Sequence, residues 1–492
     1  MSTAIRAIDF LHALPLLVAT MWACVVLLAV SFSGERTGRV GGLAVFGLLT
    51  TLAVSIWSWI VHPNAASIFS GMLVVDRFSI FIDSLVLVAG SLTILVSDAY
   101  LEEHRVNRGE FHAVLMLAIV GIMVMVHAGD FITLLIGLET MSLGVYALVA
   151  SWAGKRKSAE GGLKYFIMGA VASAFLLYGI AILYGLTGQT NLAAIARQTG
   201  RLAGEPLLII SMLMILGAMA FKVALVPFHM WTPDAYEGAP TPITGFMAAA
   251  VKASGFAVLY RLLTGVFGQS FLAYGSTGWF EIMVVLSAIT MTLGNIVALR
   301  QYNIKRMLAY SSVAHAGFIL IGILAAFSQA KVDQAPLLFY LLIYALTTIG
   351  SFAVVSWLGN LDNERVGLEE WHGLAYRHPG QALAMTIFLL SLAGMPPTAG
   401  FFAKFYIFKA ALSNPKLLTL VIIAAVNSMI AIFYYLRPVV AMYFREETPE
   451  APTPLRSSGL NFAMVAAVIL VLALGFMPTT TLVWAQAASL MP

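Results

Sequence analysis

Three titratable side chains lie deep inside long apolar stretches of the sequence, where an isolated charge is unstable. Glu139 is nine residues into an apolar segment that begins near residue 131, which places it about 13 Å along a helix that rises 1.5 Å per residue. Lys252 follows Pro240 by twelve residues, and Lys222 comes shortly before Pro227. Ionisable residues at such depth are usually functional, because each must be paired or hydrated.

The chemistry that suits this set is a proton relay. Burial in general lowers the pKa of a lysine from about 10.4 towards neutrality, and a neighbouring carboxylate raises it again. A lysine beside Glu139 would hold its proton while paired and release it when the partner moves away. Polar groups at His229, Ser311, Ser312 and His315 would connect successive sites.

Four further residues extend this hypothesis, each with a second interpretation that stays open. Lys404, eight residues beyond Pro396, is either the exit-side member of the relay or a lysine that reaches the membrane interface. Lys164 is either a relay position or a cytoplasmic anchor, because it lies close to basic loop residues. His229 and His315 can titrate near neutrality, but a histidine in a polar seam is often only a hydrogen-bonding group.

The composition requires that apolar helices position these residues. Of the 492 residues, 60% are hydrophobic and 10% charged, and the mean hydropathy is +0.92. A soluble domain has roughly a quarter of its residues charged, so the surface must face lipid and no soluble catalytic domain fits. The net charge of +4 is interpreted as a membrane topology signal and not as a nucleic-acid surface.

Cofactor chemistry is not expected in this chain. The single cysteine, Cys24, excludes an intrachain disulfide and an iron–sulfur cluster held by this chain alone. No cluster of His, Cys and carboxylate residues has metal-ligand spacing, and there is neither a Walker loop nor a GxGxxG motif after a strand. Redox chemistry and the binding of ATP or NADH are therefore expected elsewhere.

The apolar windows predict an all-α integral membrane protein with about fourteen transmembrane helices. A helix needs about 20 apolar residues to span a bilayer. The predicted spans begin near residues 11, 41, 76, 111, 131, 161, 206, 240, 279, 303, 335, 382, 417 and 460.

The distribution of basic residues predicts the orientation. Of the 27 Lys and Arg residues, fourteen fall in the loops after spans 1, 3, 5, 9, 11 and 13, seven fall in the alternate loops and tails, and six fall inside spans. Because basic loops stay cytoplasmic, both termini are predicted to be periplasmic. Among the charges inside spans, Arg261 and Arg437 are interpreted as anchors near span ends, and Asp83 as a support or interface residue.

Two interrupted spans predict an internal repeat. Proline breaks the seventh span at Pro227 and the twelfth at Pro396 and Pro397, about 170 residues later. The segment Asp130 to Val149 can be aligned with the segment Asn303 to Gly322. The predicted units are an N-terminal three-helix segment (1–109), two five-helix repeats (110–265 and 279–443) and a C-terminal helix (444–492). Since five is odd, the second repeat is inverted, as in ion transporters.

Four stretches of this sequence resemble the antiporter-like subunits of respiratory complex I. The stretches are Gly137–Ser142, Phe221–Pro242, Ala250–Ser254 and Leu392–Lys404. The long stretch from Phe221 is highly specific, and the resemblance covers nearly the whole chain. Within the family, the length and the predicted spans fit the subunit N branch better than its L and M relatives.

The resemblance implies a proton-translocating subunit of the membrane arm, located in a bacterial inner membrane. The family's central relay maps onto Glu139, Lys222 and Lys252, with Lys404 and Lys164 as further members. NADH, FMN, iron–sulfur clusters and quinone are implied in partner subunits, and further antiporter-like subunits are implied as neighbours. Two alternatives stay open: a subunit of a multisubunit cation/proton antiporter, and a structural membrane-arm subunit with an inactive channel.

Overall fold

The computed structural model describes residues 7–33, 37–104, 106, 110–152, 154–275, 278–328, 333–359, 364–446, 455, 457–488 and 490. In these ranges the chain is almost entirely helical. The one sheet within them is a small antiparallel hairpin, in which Ala66 pairs with Val75 and Ile68 with Leu73. It lies between the third and fourth helices.

The first part of the chain contains eight helices and the hairpin. They are α1 (Ala7–His12), α2 (Leu14–Ser33), α3 (Thr37–Val61), β1 (Ala66–Ile68), β2 (Leu73–Val75), α4 (Arg77–Glu103), α5 (Glu110–Val126), α6 (Phe131–Val149), α7 (Arg156–Thr187) and α8 (Leu192–Thr199). Asp76 caps α4 through a reciprocal capping box with Ser79, and Asp130 caps α6. These caps satisfy backbone donors that a helix start leaves free.

The middle part contains the first interrupted helix and a segment with altered helical pitch. Its α-helices are α9 (Pro206–Lys222), α10 (Thr232–Gly238), α11 (Thr241–Phe246), α12 (Lys252–Arg261) and α13 (Ser270–Ala273). Two π-helical stretches, Met247–Val251 and Leu262–Val266, make α11 and α12 parts of one continuous helix, Thr241–Val266. Such π segments occur often at functional sites, and the first of the two, Met247–Val251, lies directly before Lys252.

The last part contains nine helices. They are α14 (Trp279–Ala298), α15 (Ile304–Ser328), α16 (Ala335–Trp357), α17 (Leu374–Arg377), α18 (Pro379–Ala393), α19 (Ala399–Ala411), α20 (Leu418–Phe444), α21 (Ser458–Phe476) and α22 (Pro478–Ala487). Short 3₁₀ turns occur at Phe69–Gly71, Gly200–Leu202, Leu368–Trp371 and Pro415–Leu417. The break between α18 and α19 contains Pro396 and Pro397, and the break between α9 and α10 contains Pro227, as the sequence predicts.

The chain is a multi-pass membrane protein. Within the described ranges, eleven helices are long and apolar enough to cross a bilayer, and three shorter apolar helices are Glu110–Val126, Pro206–Lys222 and Pro379–Ala393. Each predicted span begins close to the start of one of these fourteen helices, but the count of membrane crossings stays a prediction. So does the orientation, because Arg6, Arg36, Arg105, Arg108, Lys331 and Arg456, together with the side chain of Arg39, lie outside the described residues.

The interior of the molecule is formed by three helices. The helix Thr241–Val266 is buried from Thr241 to Leu263, and α15 and α16 are enclosed along nearly all of their length. Large apolar side chains such as Leu28, Ile60 and Phe462 remain exposed on the outer helices. This central layer carries Lys252 and His315.

Candidate functional site

Lys222, the last residue of α9, is buried, with 4% of its surface exposed. Its Nζ atom donates a hydrogen bond to Ser142 Oγ at 2.6 Å and lies 3.4 Å from Tyr146 Oη. Ser142 and Tyr146 are one turn apart on α6 and therefore share a face of that helix. Two oxygen partners thus direct the ammonium towards α6.

Glu139 lies one turn before Ser142 on the same helix and is half-buried. Its carboxylate accepts a hydrogen bond from Ser173 Oγ on α7. Among the described residues, no ion pair within 4 Å joins Glu139 to Lys222. The predicted pair is therefore not an ion pair in this structure: Lys222 bonds Ser142 and Glu139 bonds Ser173, so direct contact requires a rearrangement of these side chains.

Aromatic rings surround the Lys222 ammonium. Its Nζ atom lies 5.3 Å from the ring centre of Tyr146 and 5.8 Å from that of Tyr165. Tyr165 stacks on Trp231 at 4.0 Å, and the Trp231 indole donates a hydrogen bond to the Phe221 carbonyl. Aromatic faces attract a cation in a dry environment, so these rings favour the ammonium where little water is present.

Lys252 lies at the junction of the π segment and α12 and is 1% exposed. Its Nζ atom donates a hydrogen bond to the Ser312 carbonyl oxygen on α15 at 2.7 Å, and Ser312 Oγ lies 3.4 Å from Tyr236 Oη. The helix of Lys252 also packs near Lys222: a Cβ at Gly255 would lie 2.9 Å from Val223 Cγ1. The two lysines therefore occupy adjacent helices.

His315 follows Ser312 by one turn of α15 and is buried. Its Nδ1 atom lies 2.6 Å from Tyr340 Oη and its Nε2 atom lies 3.1 Å from Tyr435 Oη. Tyr435 is also hydrogen-bonded to Ser311. The structure thus brings together three of the polar residues that the sequence proposes as connections.

Lys404 on α19 is buried and donates a hydrogen bond to the Ala393 carbonyl, the last residue of α18, at 2.9 Å. A small cavity lies beside it, lined by His315, Tyr340, Tyr344, Thr347, Ser391 and Lys404 among others. Its volume of about 10 Å³ is close to the space that one water molecule requires. His315 and Lys404 both line this cavity.

Lys164 and His229 lie apart from these buried groups. Lys164 is exposed and pairs with Glu160 at 2.7 Å and with Asp234 at 2.8 Å. His229 is half-buried in the break between α9 and α10. Within the described part of the chain, no hydrogen bond or ion pair joins its imidazole to Lys222, Lys252 or Lys404.

The ion pairs of Lys164 belong to a cluster at the helix ends. Arg306 of α15 binds Asp234 at 2.9 Å and Glu237 at 2.7 Å, and Lys157 of α7 binds Glu237 at 2.7 Å. Burial raises the pKa of both carboxyl groups, but the hydrogen bonds from these cations outweigh it and lower each pKa below its usual value. The cluster fixes α10, which also carries Tyr236.

Glu364 has a buried carboxylate that joins three helices, α4, α11 and α15, to the N-cap residue of α7. It accepts hydrogen bonds from Tyr100 at 2.5 Å, from Lys155 and Lys305 at 3.0 Å each, and from Thr241. Burial raises the pKa of this carboxyl group, but Lys305 and Lys155 lower it by more, to about 2. Glu364 therefore anchors the start of the helix that carries Lys252.

Two buried pairs correct or sharpen the sequence interpretation at the opposite end of that helix. Arg261 is not an interface anchor: it is 8% exposed and forms an ion pair with Asp76 at 3.0 Å. Asp83 is a support residue, paired with His127 at 2.7 Å. Burial lowers the pKa of His127, and the Asp83 carboxylate raises it by more. The sequence does not identify Asp76 as the partner of Arg261, because helix packing brings these distant residues together.

Sequence reasoning also missed the hydroxyl groups that contact the site. Four of these groups belong to residues in apolar helices, where a tyrosine is ordinarily a packing residue: Ser173, Tyr146, Tyr340 and Tyr435. The fifth, Tyr236, lies in the short helix α10. The one signal available was Ser142, which belongs to the Gly137–Ser142 stretch. Within the described ranges, no group of three or more His, Cys, Asp or Glu residues is placed to hold a metal ion.

Comparison with known proteins gives consistent matches along the chain. The family model described as "NADH:quinone oxidoreductase/Mrp antiporter, TM" matches residues 128–431. NADH-quinone oxidoreductase subunit N 1 of Sorangium cellulosum is 45% identical over 488 residues, which cover 95% of this chain and 96% of that relative. Subunit N of Trichlorobacter lovleyi is 39% identical over 474 residues, which cover 96% of this chain and 95% of that relative.

A solved structure agrees with these relatives. A chain of respiratory complex I from Thermus thermophilus with bound Aureothin matches with a TM-score of 0.80 and 33% sequence identity, over 96% of this chain and 100% of that one. The resemblance observed in the sequence is thereby confirmed. The chain belongs to the NADH-quinone oxidoreductase subunit N family, within the wider NADH:quinone oxidoreductase/Mrp antiporter family.

Proposed function

We propose that this chain is a proton-translocating membrane-arm subunit of an NADH:quinone oxidoreductase, and that it moves protons through a buried relay of lysine and glutamate side chains. The observation that carries the proposal is the placement of Lys222, Lys252 and Lys404, each buried and hydrogen-bonded, in the interior of a chain of this family. Electron transfer from NADH to quinone takes place in other subunits and drives the relay.

The relay has two halves. In the first, Glu139 and Lys222 exchange a proton when Lys222 leaves Ser142 and contacts the carboxylate. In the second, the proton passes from Lys252 along the Ser312 face of α15 to His315, and across the small cavity to Lys404. Lys164, in the surface cluster with Asp234, lies on the uptake side. His229 supplies a further titratable group at the α9–α10 break.

Helix ends favour the charged lysines. Lys222 lies in the last turn of α9, and Lys404 bonds the last carbonyl of α18. Unsatisfied carbonyls at a helix C-terminus attract a cation. Both interrupted helices therefore offer a stabilising position for an ammonium group inside the membrane, and the ammonium can leave that position when a carboxylate approaches.

The two interrupted helices belong, in this proposal, to inverted repeats of five helices, at 110–265 and 279–443. Adding 173 to the residue numbers of a helix contact in the first repeat gives the corresponding helix contact in the second repeat. A Cβ at Gly121 would overlap the Met141 backbone, and one at Gly294 would lie 2.6 Å from the nitrogen of Ala314.

The same shift relates a second glycine contact. Gly144 lies against Ala118 and Val114, and Gly317 lies against Met291 and Ser287. Glycines of this kind let helices approach closely in a membrane. Two contacts related by one shift support a duplicated helix pair.

Backbone bridges at the helix starts add independent support. Phe131 N donates to Thr190 O at 3.0 Å, and Ile304 N donates to Val366 O at 2.7 Å. Each repeat thus attaches the start of its equivalent helix, α6 or α15, to a later loop. The segment 1–109 and the helix in 444–492 flank the repeats, which gives fourteen spans.

The proposed setting follows from the family and from the basic loops. The protein lies in a bacterial inner membrane with both termini in the periplasm, in contact with lipid and with further antiporter-like subunits. Partner subunits hold NADH, FMN, iron–sulfur clusters and quinone, and this chain holds no cofactor. The exposed apolar side chains of the outer helices support contact with lipid and neighbouring subunits.

The test compares Lys222→Ala and Glu139→Ala with the parent complex in membrane vesicles, with NADH as the electron donor and a fluorescent probe of the proton gradient. Each variant is expected to lower proton pumping by at least about tenfold while the complex assembles. Lys409→Ala, at an exposed lysine on α19, is the control and should pump normally.

Two results would overturn the proposal. Normal pumping by Lys222→Ala in the assembled complex would show an inactive channel. Exchange of sodium or potassium for protons by the purified chain in vesicles, without NADH or partner subunits, would show an antiporter.

A further inference from the structure

Gly169, in the middle of α7, faces the hydroxyl group of Tyr146 on α6. A Cβ at position 169 would overlap Tyr146 Oη and lie 2.6 Å from Cζ. The backbone at 169 is ordinary α-helix, in which glycine is less favourable than alanine. The backbone conformation therefore does not require a glycine at position 169. The Tyr146 hydroxyl does, because it occupies the space that a Cβ would need.

Tyr146 has little freedom to avoid a larger residue at position 169. The residue is 6% exposed, and its ring packs edge-on against Tyr165 at 4.5 Å and against Phe166 at 5.9 Å. Tyr165 is itself held by stacking on Trp231. A methyl group at 169 would have to move the ring end of Tyr146 away from its present place.

That place determines the surroundings of Lys222. With the hydroxyl against Gly169, Lys222 Nζ has Ser142 Oγ at 2.6 Å and Tyr146 Oη at 3.4 Å. These are the two side-chain oxygens bonded to Nζ in the described part of the chain. If the hydroxyl moves, the ammonium keeps Ser142 alone and loses the ring face of Tyr146.

We propose that Gly169 and Tyr146 form a positioning pair that holds the Lys222 ammonium at Ser142, one helical turn from Glu139. The inference rests on the proposed proton relay, because it assigns a role to Tyr146 only if Lys222 must reach Glu139. Gly169 acts through Tyr146, and Tyr146 acts through Lys222. Neither residue carries a charge or takes part in proton transfer.

The experiment compares Gly169→Ala and Tyr146→Phe in the assembled complex in membrane vesicles, with proton pumping per NADH oxidised measured across a range of pH. Both variants are expected to lower pumping about fivefold, since roughly one hydrogen bond to the lysine is lost. Both should also shift the pH profile of pumping, and the shift should be equal in the two variants. Gly185→Ala is the matched control, because position 185 is also on α7 and a Cβ there meets nothing within 4 Å. It should match the parent.

A second comparison separates positioning from general packing. In a Tyr146→Leu background the ring end is absent, so Gly169→Ala is expected to cause no further loss. An additive loss, or an unchanged pH profile in Gly169→Ala and Tyr146→Phe, would overturn the inference. If Gly169→Ala reduces the amount of assembled complex, Tyr146→Phe, which adds no atoms, decides the result by the same profile.

Lys222→Ala separates this inference from the function on which it rests. Normal pumping by Lys222→Ala would reject the proposed relay itself. Lost pumping by Lys222→Ala together with normal pumping by Gly169→Ala and Tyr146→Phe would reject the positioning pair and leave the relay in place.

Discussion

The Lys252 ammonium donates its hydrogen bond to the backbone carbonyl of Ser312, sixty residues away in the sequence, at 2.7 Å. A carbonyl oxygen accepts a hydrogen bond but does not take up a proton, so this contact positions the lysine without offering its proton an acceptor. The Ser312 side chain is close to Tyr236, and His315 is one turn further along α15. Release of the proton therefore requires Lys252 to exchange the carbonyl for another partner.

Replacement of Lys252 by methionine tests the importance of this lysine. Lys252→Met keeps most of the side-chain volume and removes a buried charge, a change that proteins often tolerate. We expect normal assembly and a fall in NADH-driven proton pumping of at least about tenfold, measured with a pH-sensitive dye in vesicles. Pumping at the parent rate would show that Lys252 carries no proton.

Ser142 is predicted to contribute through its hydrogen bond to Lys222. Ser142→Ala removes a bond to a charged group, which is worth about 1.5 kcal/mol or roughly tenfold in rate. Thr140→Ala is the control, because Thr140 lies on the same helix and bonds the carbonyl four residues earlier, as Ser142 also does. Equal pumping rates in the two variants would contradict the prediction.

Glu364 is predicted to stabilise the fold at neutral pH. Its pKa of about 2 is lower than that of an unfolded glutamate, so its stabilisation is complete above the unfolded pKa and is lost as the pH falls towards the folded value. Glu364→Gln leaves Lys305 without its charge partner and should lower stability by about 3 kcal/mol.

Thermal unfolding of the isolated complex checks the sign of this effect. The difference in Tm between the parent and Glu364→Gln should be the same at about pH 6 and about pH 8, and should shrink only below about pH 4.5. A difference that disappears between about pH 6 and about pH 8 would refute the assignment.

The buried pair of Arg261 and Asp76 is predicted to couple energetically. Arg261→Met leaves the Asp76 charge buried and should destabilise the protein by about 3 kcal/mol. Arg261→Met combined with Asp76→Asn removes both charges, so it should be less destabilised than the sum of the single variants. Additive changes in thermal stability would show that the ion pair contributes nothing.

Local composition singled out the charged residues of the candidate site but not the hydroxyl groups around them. Glu139, Lys222, Lys252 and Lys404 are conspicuous in sequence because charges are rare in apolar segments, and three of them prove to be buried. Lys164 is also charged within a predicted span, but the structure places it at an exposed surface with Asp234 and Glu160. Depth along a helix does not specify which side of that helix faces the interior.

The sequence by itself determined that the chain is helical and lies in a membrane, at which prolines its helices are interrupted, and which charges require an explanation. Each of these properties depends on residues that are close together in the chain. The tertiary structure alone decided that Lys222 contacts Ser142 and Tyr146, that Arg261 pairs with Asp76, and that a glycine on α7 accommodates a hydroxyl from α6. These contacts depend on the rotation and height of each helix relative to its neighbours. Packing among many distant side chains sets those two quantities, and no periodicity within one segment encodes them.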